Sequence, residues 1–204
     1  MQIKFGRVWV NLSFSFVAVI TLMLLLCEEE IVLVSLFSSL FHEAGHLFFI
    51  LLFSDVPQKI SFGAFGIRIE RNFTGSISYK KEAVIALGGI AGNFILAFSS
   101  LIFYSINKSS ISFKIFAVNI FVAVFNLLPV RQLDAGCFVN CVLQNAADII
   151  KSERIMRCIT LITVVFILVC CIIYNACLGF NISFIAVTVY LISITVSKEL
   201  NNDK

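Results

Sequence analysis

The chain has 204 residues, of which 60% are hydrophobic and only 13% are charged, and its mean hydropathy is +1.02. Soluble globular domains carry about 25% charged residues, so this composition excludes an ordinary soluble protein and indicates an integral membrane protein. The net charge of +3 follows from an uneven distribution of Lys and Arg along the chain. It does not indicate nucleic-acid binding.

Six apolar runs are predicted to span a membrane, because about 18 or more apolar residues cross the hydrocarbon core as a helix. They are Val8–Cys27, Ile31–Phe53, Ala83–Ile106, Phe113–Leu128, Ile155–Tyr174 and Phe180–Val196. The first run is too long for a signal peptide and no small-residue cleavage site follows it, so we interpret it as an uncleaved span. We expect one all-α polytopic membrane domain that covers residues 1–204, with about six transmembrane helices.

The distribution of basic residues predicts how the spans are oriented. When the chain is divided at the six spans, alternate segments beginning with the N-terminus hold all but two of the 15 Lys and Arg residues. The two exceptions are Lys108 and Lys114. The positive-inside rule then places both termini and the loops 54–82 and 129–154 in the cytoplasm.

The loop between the second and third spans carries a strand pattern. Apolar and polar residues alternate over Ile67–Arg71 and again over Ser76–Tyr79, with a plausible turn at Asn72–Gly75 between them. Alternation at period two, bounded by turn residues, predicts a small β-hairpin. A solvated basic loop is the alternative.

The seven cysteines give weak signals. Cys27 and Cys177 both fall at the predicted outer surface, and the sequence leaves open whether they form a disulfide. Cys137 and Cys141 are four residues apart and could bind a metal, but two thiols without a partner pair are weak evidence for a metal site.

Both histidines of the chain lie within the second apolar run, in the motif His42-Glu43-x-x-His46. A helix turns about 100° per residue, so His42 and His46 face the same way and can place two imidazoles on one metal ion, with Glu43 beside them as a base. Polar and ionisable groups inside a membrane helix cost several kcal/mol unless something binds them. A hydrogen-bonded histidine pair within a helix bundle is the competing explanation.

A catalytic zinc ion usually takes three protein ligands, and no third histidine exists. Among the carboxylates, Glu28–Glu30 lie at the opposite end of the second span, and Glu70 and Glu82 are in or beside the basic loop. Asp134 is the best candidate, because it follows a helix break at Pro129 at the inner end of the fourth span. A helix cap or turn role for Asp134 is the alternative.

A patch of small residues in the third span, Gly88-Gly89-Ile90-Ala91-Gly92-Asn93, is the remaining unusual feature. Small residues let membrane helices approach closely, and close packing alone would explain the glycines. Asn93 could also present its amide at a functional site. Asn126 could either hold the broken end of the fourth span or bind the backbone of a substrate.

Three motifs together resemble the signatures of the site-2 protease family of intramembrane zinc metalloproteases. They are His42-Glu43-x-x-His46, the Gly-Gly-x-x-x-Asn patch ending at Asn93, and Asn126-x-x-Pro129-x-x-x-Leu133-Asp134. Order, spacing and predicted topology match over residues 31–143, the expected catalytic core. The short layout, with no PDZ or CBS domain expected, most resembles the stage IV sporulation factor B branch.

The resemblance implies an intramembrane protease of a bacterial cytoplasmic membrane. Carried over by position, it implies Zn²⁺ held by His42, His46 and Asp134, with Glu43 as general base. It also implies that Asn93 and Asn126 bind substrate, and that the partners are the lipid bilayer and a membrane-embedded regulatory protein that is cleaved. The alternative is a catalytically inactive zinc-binding scaffold or assembly factor.

This sequence departs from the family pattern at two positions. Ala135 separates Asp134 from Gly136, whereas family members commonly have Asp-Gly. Ile90 stands where many members have proline. Neither departure removes an expected ligand, but both bear on the backbone shape near the site.

Overall fold

The computed structural model describes residues 2–5, 8–53, 57–63, 66–71 and 78–202. Its contacts divide the chain into two compact units, Met1–Phe125 and Asn126–Lys204. The elements in chain order are β1 (Gln2–Phe5), β2 (Val8–Leu12), α1 (Phe14–Leu26), α2 (Glu29–Leu52), β3 (Pro57–Gly63), β4 (Gly66–Arg71), α3 (Tyr79–Asn107), α4 (Ser110–Asn126), α5 (Asp134–Ala146), α6 (Ile149–Leu178) and α7 (Ile182–Asn202).

Three of these helices are long and apolar enough to cross a membrane, judged by length and composition: α2, α3 and residues Ile149–Cys177 of α6. Three shorter apolar helices coincide with the other predicted spans: Phe14–Leu26, Ser110–Asn126 and Ile182–Val196. The predicted spans over Ile31–Phe53, Ala83–Ile106 and Ile155–Tyr174 are therefore confirmed as long apolar helices. The total of six transmembrane helices stays a prediction.

The first predicted span, Val8–Cys27, is wrong as a single helix. Residues Val8–Leu12 form strand β2, and the helix that follows has only 13 residues. Ser13 separates the two elements, because its side chain accepts a hydrogen bond from the Phe16 N–H at 3.2 Å and caps the helix. Hydropathy does not distinguish an apolar strand from an apolar helix, and the parallel partner of β2 is β3, far along the chain.

A β-hairpin does lie between α2 and α3, as predicted, but its strands differ. Strand β4 covers the predicted first strand and pairs antiparallel with the upstream strand β3, with Ile60 opposite Ile69. Tyr79, predicted to end a strand, instead begins α3. The rest of the predicted turn and second strand, residues 72–77, lies outside the described residues.

The described strands form one four-stranded sheet in the order β1-β2-β3-β4. The β1–β2 and β3–β4 pairs are antiparallel, and the central β2–β3 pair is parallel. The expected all-α architecture with a lone hairpin is therefore corrected to a mostly helical fold with a small mixed sheet. The sheet forms because an edge of the β3–β4 hairpin takes up the N-terminal strands through main-chain hydrogen bonds.

The loop predicted over residues 129–154 contains a further helix, α5. Its apolar residues are interrupted by Asn140, Gln144 and Asn145, so it carries no signal of a spanning helix. One side of it is buried, at Ala135 and Cys141. An amphipathic helix of this kind gains its stability from packing, and here it packs on α6.

In the first unit, α2 is the central helix. It packs along α3 and is hydrogen-bonded to α4, because the Asn119 amide donates from Nδ2 to Ser38 Oγ at 2.8 Å. Lys114 near the start of α4 pairs with Glu28 and Glu30 at the start of α2, at 3.1 and 2.8 Å. These contacts place the N-terminal ends of α2 and α4 side by side.

All seven cysteines lie within the described residues, and no disulfide joins any two of them. Cys27 and Cys177 are both exposed, and neither forms a disulfide. In α5, Cys137 is exposed and Cys141 is buried. The two thiols of α5 therefore differ in exposure, and a metal site at this pair stays a weak prediction.

Candidate metal centre

The two histidines lie on one face of α2, one turn apart, as the sequence predicts. Their Nε2 atoms are 3.2 Å apart and the ring planes are nearly perpendicular, at 86°. Two nitrogens that each lie about 2.0–2.1 Å from one tetrahedral zinc ion are separated by about 3.3–3.4 Å. The observed pair therefore has the spacing of two ligands of a single ion, although a hydrogen bond between the rings would have a similar length.

The second nitrogen of His46 determines which ring atom is available to a metal. Nδ1 lies 2.8 Å from the main-chain carbonyl oxygen of Ile85 on α3. A carbonyl oxygen only accepts, so Nδ1 carries the proton and donates it. In the neutral ring Nε2 of His46 then carries the lone pair, and this atom lies on the side of His42. An outer hydrogen bond typically gives a metal-binding histidine this orientation.

Gly89 on α3 faces both imidazoles. A Cβ atom built on Gly89 would collide with His46 Nε2 and would lie only 2.6 and 2.7 Å from the Cε1 and Nε2 atoms of His42. Any side chain at this position would therefore occupy the space in which the two rings meet. The glycine patch has a specific role here, which is to keep the volume around the two Nε2 atoms open.

The other glycines of the patch bring the two helix backbones together. A Cβ on Gly88 would lie 2.6 Å from the carbonyl oxygen of Gly45, and a Cβ on Gly45 would collide with the carbonyl of Gly88. Both positions therefore need glycine for α2 and α3 to approach backbone to backbone. This approach is what brings the Ile85 carbonyl within reach of His46.

Glu43 follows His42 on α2 and is partly exposed, whereas His42 is 8% exposed. Its backbone position is fixed by the helix that holds the two histidines. A carboxylate beside a pair of metal-binding imidazoles is the arrangement in which Glu acts as a general base.

Asn93 lies one turn beyond Gly89 on α3 and is 0% exposed. Among the described residues, neither its Nδ2 nor its Oδ1 atom has a hydrogen-bond partner. Leaving a buried amide unsatisfied costs about 1–3 kcal/mol, so a purely structural Asn at this position would be unfavourable. The close-packing explanation accounts for the glycines but not for this amide.

Asp134 and Asn126 belong to the second unit. Asp134 is the first residue of α5, preceded by Leu133 as the N-cap, and its Oδ2 atom is buried. Leu133 makes no side-chain capping hydrogen bond, and Asp134 lies in the first turn of α5. Asn126 is the last residue of α4, three residues before Pro129, and is partly exposed.

The departure from Asp-Gly at Ala135 is explained by the start of α5. Ala135 is buried without requiring glycine, whereas a Cβ on Gly136 would collide with the Val130 carbonyl and lie 2.8 Å from the Arg131 nitrogen. The glycine that this turn needs is therefore at position 136. The other departure, Ile90, is a buried apolar residue of α3.

Two features of the structure were not predicted from the sequence. The Ile85 carbonyl is a main-chain atom and leaves no trace in the sequence. Ser38 and Asn119 are both fully buried polar residues in apolar helices, and an Asn in the middle of an apolar span is itself a signal of a polar contact.

Comparisons with known proteins bear on the same elements. The sequence model of Peptidase family M50 matches residues 105–170, which include Asn126 and Asp134 but not the two histidines. Among solved structures, the Site-2 Protease from Methanocaldococcus jannaschii superposes with a TM-score of 0.69 at 20% sequence identity, over 94% of this chain and 91% of that chain. Curated protein sequences give no match.

This likeness defines the class of fold. The chain has a fold like that of a site-2 protease. At 20% identity the likeness concerns the fold, and the activity has to be argued from the residues themselves.

Proposed function

We propose that this protein is an intramembrane zinc metalloendopeptidase that cleaves transmembrane or membrane-associated segments of a regulatory protein. The observation that carries the proposal is the pair of Nε2 atoms on α2, 3.2 Å apart, with the proton of His46 held on the opposite nitrogen by Ile85. The matching fold and the family match over residues 105–170 support the same conclusion.

The donor set fits a divalent metal. His42, His46 and Asp134 each offer one ligand atom, and two imidazoles with one carboxylate are a recurrent ligand set of catalytic zinc that leaves a position open. A zinc ion held there would supply Lewis acidity toward a substrate carbonyl. Gly89 keeps the space beside the imidazoles free.

Glu43 then supplies the proton transfers. Its carboxylate takes a proton from the attacking water and later delivers it to the leaving amine. Its position next to His42 keeps the base adjacent to the ligand set throughout the reaction, and its partial exposure is consistent with a site that water reaches.

Substrate binding requires an unwound segment, because the amides of an intact helix are hydrogen-bonded within it. We propose that the buried amide of Asn93, together with Asn126, binds the main chain of the substrate near the scissile bond. Strand β4 is the last strand of the described sheet, and an extended substrate could add to its edge through main-chain hydrogen bonds.

The proposed location is a bacterial cytoplasmic membrane, with six spans and both termini in the cytoplasm. The ion pairs of Lys114 with Glu28 and Glu30 support the proposed topology, because it places all three residues on the same side of the membrane. Within this proposal, the protein would be related to the stage IV sporulation factor B branch and would act as a single membrane domain with its catalytic core in residues 31–143.

The test compares Glu43→Gln with the wild type. Membrane fractions from cells that express each form are examined by proteomics for fragments that require the carboxylate, and metal content is measured on purified protein. We expect one zinc per chain in both forms and loss of the fragments in Glu43→Gln. Glu29→Gln, the same change at an exposed position of α2, is the matched control and should cleave normally.

Three results would contradict the proposal. Fragments that persist unchanged in Glu43→Gln would remove its catalytic role. A wild-type protein that holds one zinc but yields no fragment would favour the zinc-binding scaffold, and a protein without zinc would favour a simple hydrogen-bonded histidine pair.

A further inference from the structure

The segment 127–133, which joins α4 to α5 and leads directly to Asp134, has little regular structure of its own. Its internal main-chain hydrogen bonds run from Val130 N–H to the Leu128 carbonyl and from Leu133 N–H to the Val130 carbonyl, both at 2.8 Å. Such a segment has few ways to hold one conformation unless other elements bind its remaining polar groups.

Helix α6 supplies two of these contacts, and both involve Arg131. The Arg131 main-chain N–H donates to Thr160 Oγ1 at 3.1 Å, and its guanidinium donates from Nη2 to Glu153 Oε1 at 2.9 Å. Glu153 and Thr160 are seven residues apart, so two turns of α6 present them on the same face. Thr160 is 4% exposed and the Arg131 side chain 16% exposed, which makes this a partly buried anchor.

Helix α7 supplies a third contact. The Gln132 side chain donates from Nε2 to the main-chain carbonyl of Ile194 at 3.2 Å. Its Oε1 atom is buried and, within the part of the chain that the structure describes, has no hydrogen-bond partner. Two adjacent residues of the segment are thus bound to two different helices, which fixes the segment in two directions.

The first turn of α5 is in turn packed directly on this segment. Val130 is fully buried, and its carbonyl occupies the space that a Cβ on Gly136 would fill. Asp134 lies between the anchored residues and Gly136 in sequence. A shift of the segment therefore displaces the Asp134 main chain.

We propose that Arg131, Gln132 and Thr160 are positioning residues: α6 and α7, which carry no proposed ligand, hold the segment 127–133 so that the Asp134 carboxylate is preorganised for the metal. This inference rests on the proposed function, in which Asp134 is a metal ligand. It gives the last two helices a role in the site that is separate from spanning the membrane.

The test measures the affinity of the purified protein for Co²⁺ by chelator competition, together with the visible absorption spectrum of the bound ion. Loss of an outer partner of a metal ligand typically lowers metal affinity by about 10–100-fold. Arg131 acts on Asp134 through the segment 127–133, so we expect a loss at the lower end of this range, about tenfold, and an altered spectrum in Arg131→Ala. We expect a smaller loss in Arg131→Lys, and recovery in the exchanged pair Arg131→Glu with Glu153→Arg.

Lys151→Ala is the matched control. Lys151 also forms an ion pair on α6, with Asp148 at 4.0 Å, but both side chains are highly exposed, at 76% and 82%. A merely structural effect of removing a cation from this region would appear in this variant too. We expect its Co²⁺ affinity and spectrum to equal those of the wild type.

The Asp134→Asn variant distinguishes a failure of the metal-ligand assignment from a failure of the positioning role. If Asp134→Asn leaves Co²⁺ affinity unchanged, the ligand assignment fails, and with it the basis of the positioning role. If Asp134→Asn weakens binding while folded Arg131→Ala binds as the wild type does, only the positioning role is overturned. Should Arg131→Ala fail to fold, Thr160→Val and Gln132→Met are compared with the wild type instead. Unchanged Co²⁺ affinity in both of these variants would overturn the positioning role.

Discussion

The Nδ1–H of His46 on α2 donates to the main-chain carbonyl of Ile85 on α3, across a distance of 2.8 Å. The glycines at positions 45 and 88 make this contact available, because they let the two helix backbones approach. A main-chain acceptor cannot be removed by a side-chain substitution. The tautomer of His46 is therefore determined by how the two helices pack.

The hydrogen bond from His46 to the Ile85 carbonyl predicts which tautomer His46 adopts in the metal-free protein. We expect the neutral ring to carry its proton on Nδ1, because the Ile85 carbonyl stabilises that tautomer. Nitrogen-15 NMR on histidine-labelled protein measures it, and the chain has only two histidines to assign. A His46 ring with its proton on Nε2 would contradict the prediction.

Gly89→Ala should weaken metal binding by at least about tenfold, as expected when the shell around a ligand is disturbed. The added methyl group would overlap both imidazoles and push the Nε2 atoms apart. Chelator competition with Zn²⁺ measures the effect. Gly92→Ala is the control, because its Cβ would meet the Phe41 carbonyl at 3.4 Å, an ordinary contact, and equal losses in both variants would show a general packing defect.

Gly136→Ala should destabilise the protein, whereas Ala135→Gly should have a small effect. Forcing an extra methyl group into a packed site costs about 1–3 kcal/mol, and here the obstacle is the Val130 backbone, which cannot rotate away as a side chain can. Thermal unfolding in detergent compares the two variants. A Gly136→Ala protein as stable as the wild type would refute the packing argument.

The Ser38–Asn119 hydrogen bond should couple α2 to α4. Interhelical hydrogen bonds in membrane proteins contribute about 0.6 kcal/mol on average and at most about 1.7. A double-mutant cycle with Ser38→Ala and Asn119→Ala, measured by unfolding in mixed micelles, should give a coupling free energy in that range. Strictly additive single effects would mean that the bond contributes nothing to the stability.

Local patterns in the sequence were enough for several elements of this protein. The long apolar runs predict α2, α3 and α6, because continuous hydrophobicity is itself the condition for such helices. The helical period places His42 and His46 on one face, and their Nε2 atoms do converge. These features depend only on residues that are close along the chain.

The remaining features depend on partners that are distant in sequence, so only the tertiary structure decided them. Strand β2 is a strand because β3 pairs with it, and a hydropathy pattern contains no information about that partner. The sequence likewise contains no information about the partner of His46 at the Ile85 carbonyl, the space beside the imidazoles at Gly89, or the contacts of Arg131 with α6. Chain folding brings these groups together, and most of their contacts involve main-chain atoms or steric fit, which residue types alone do not encode.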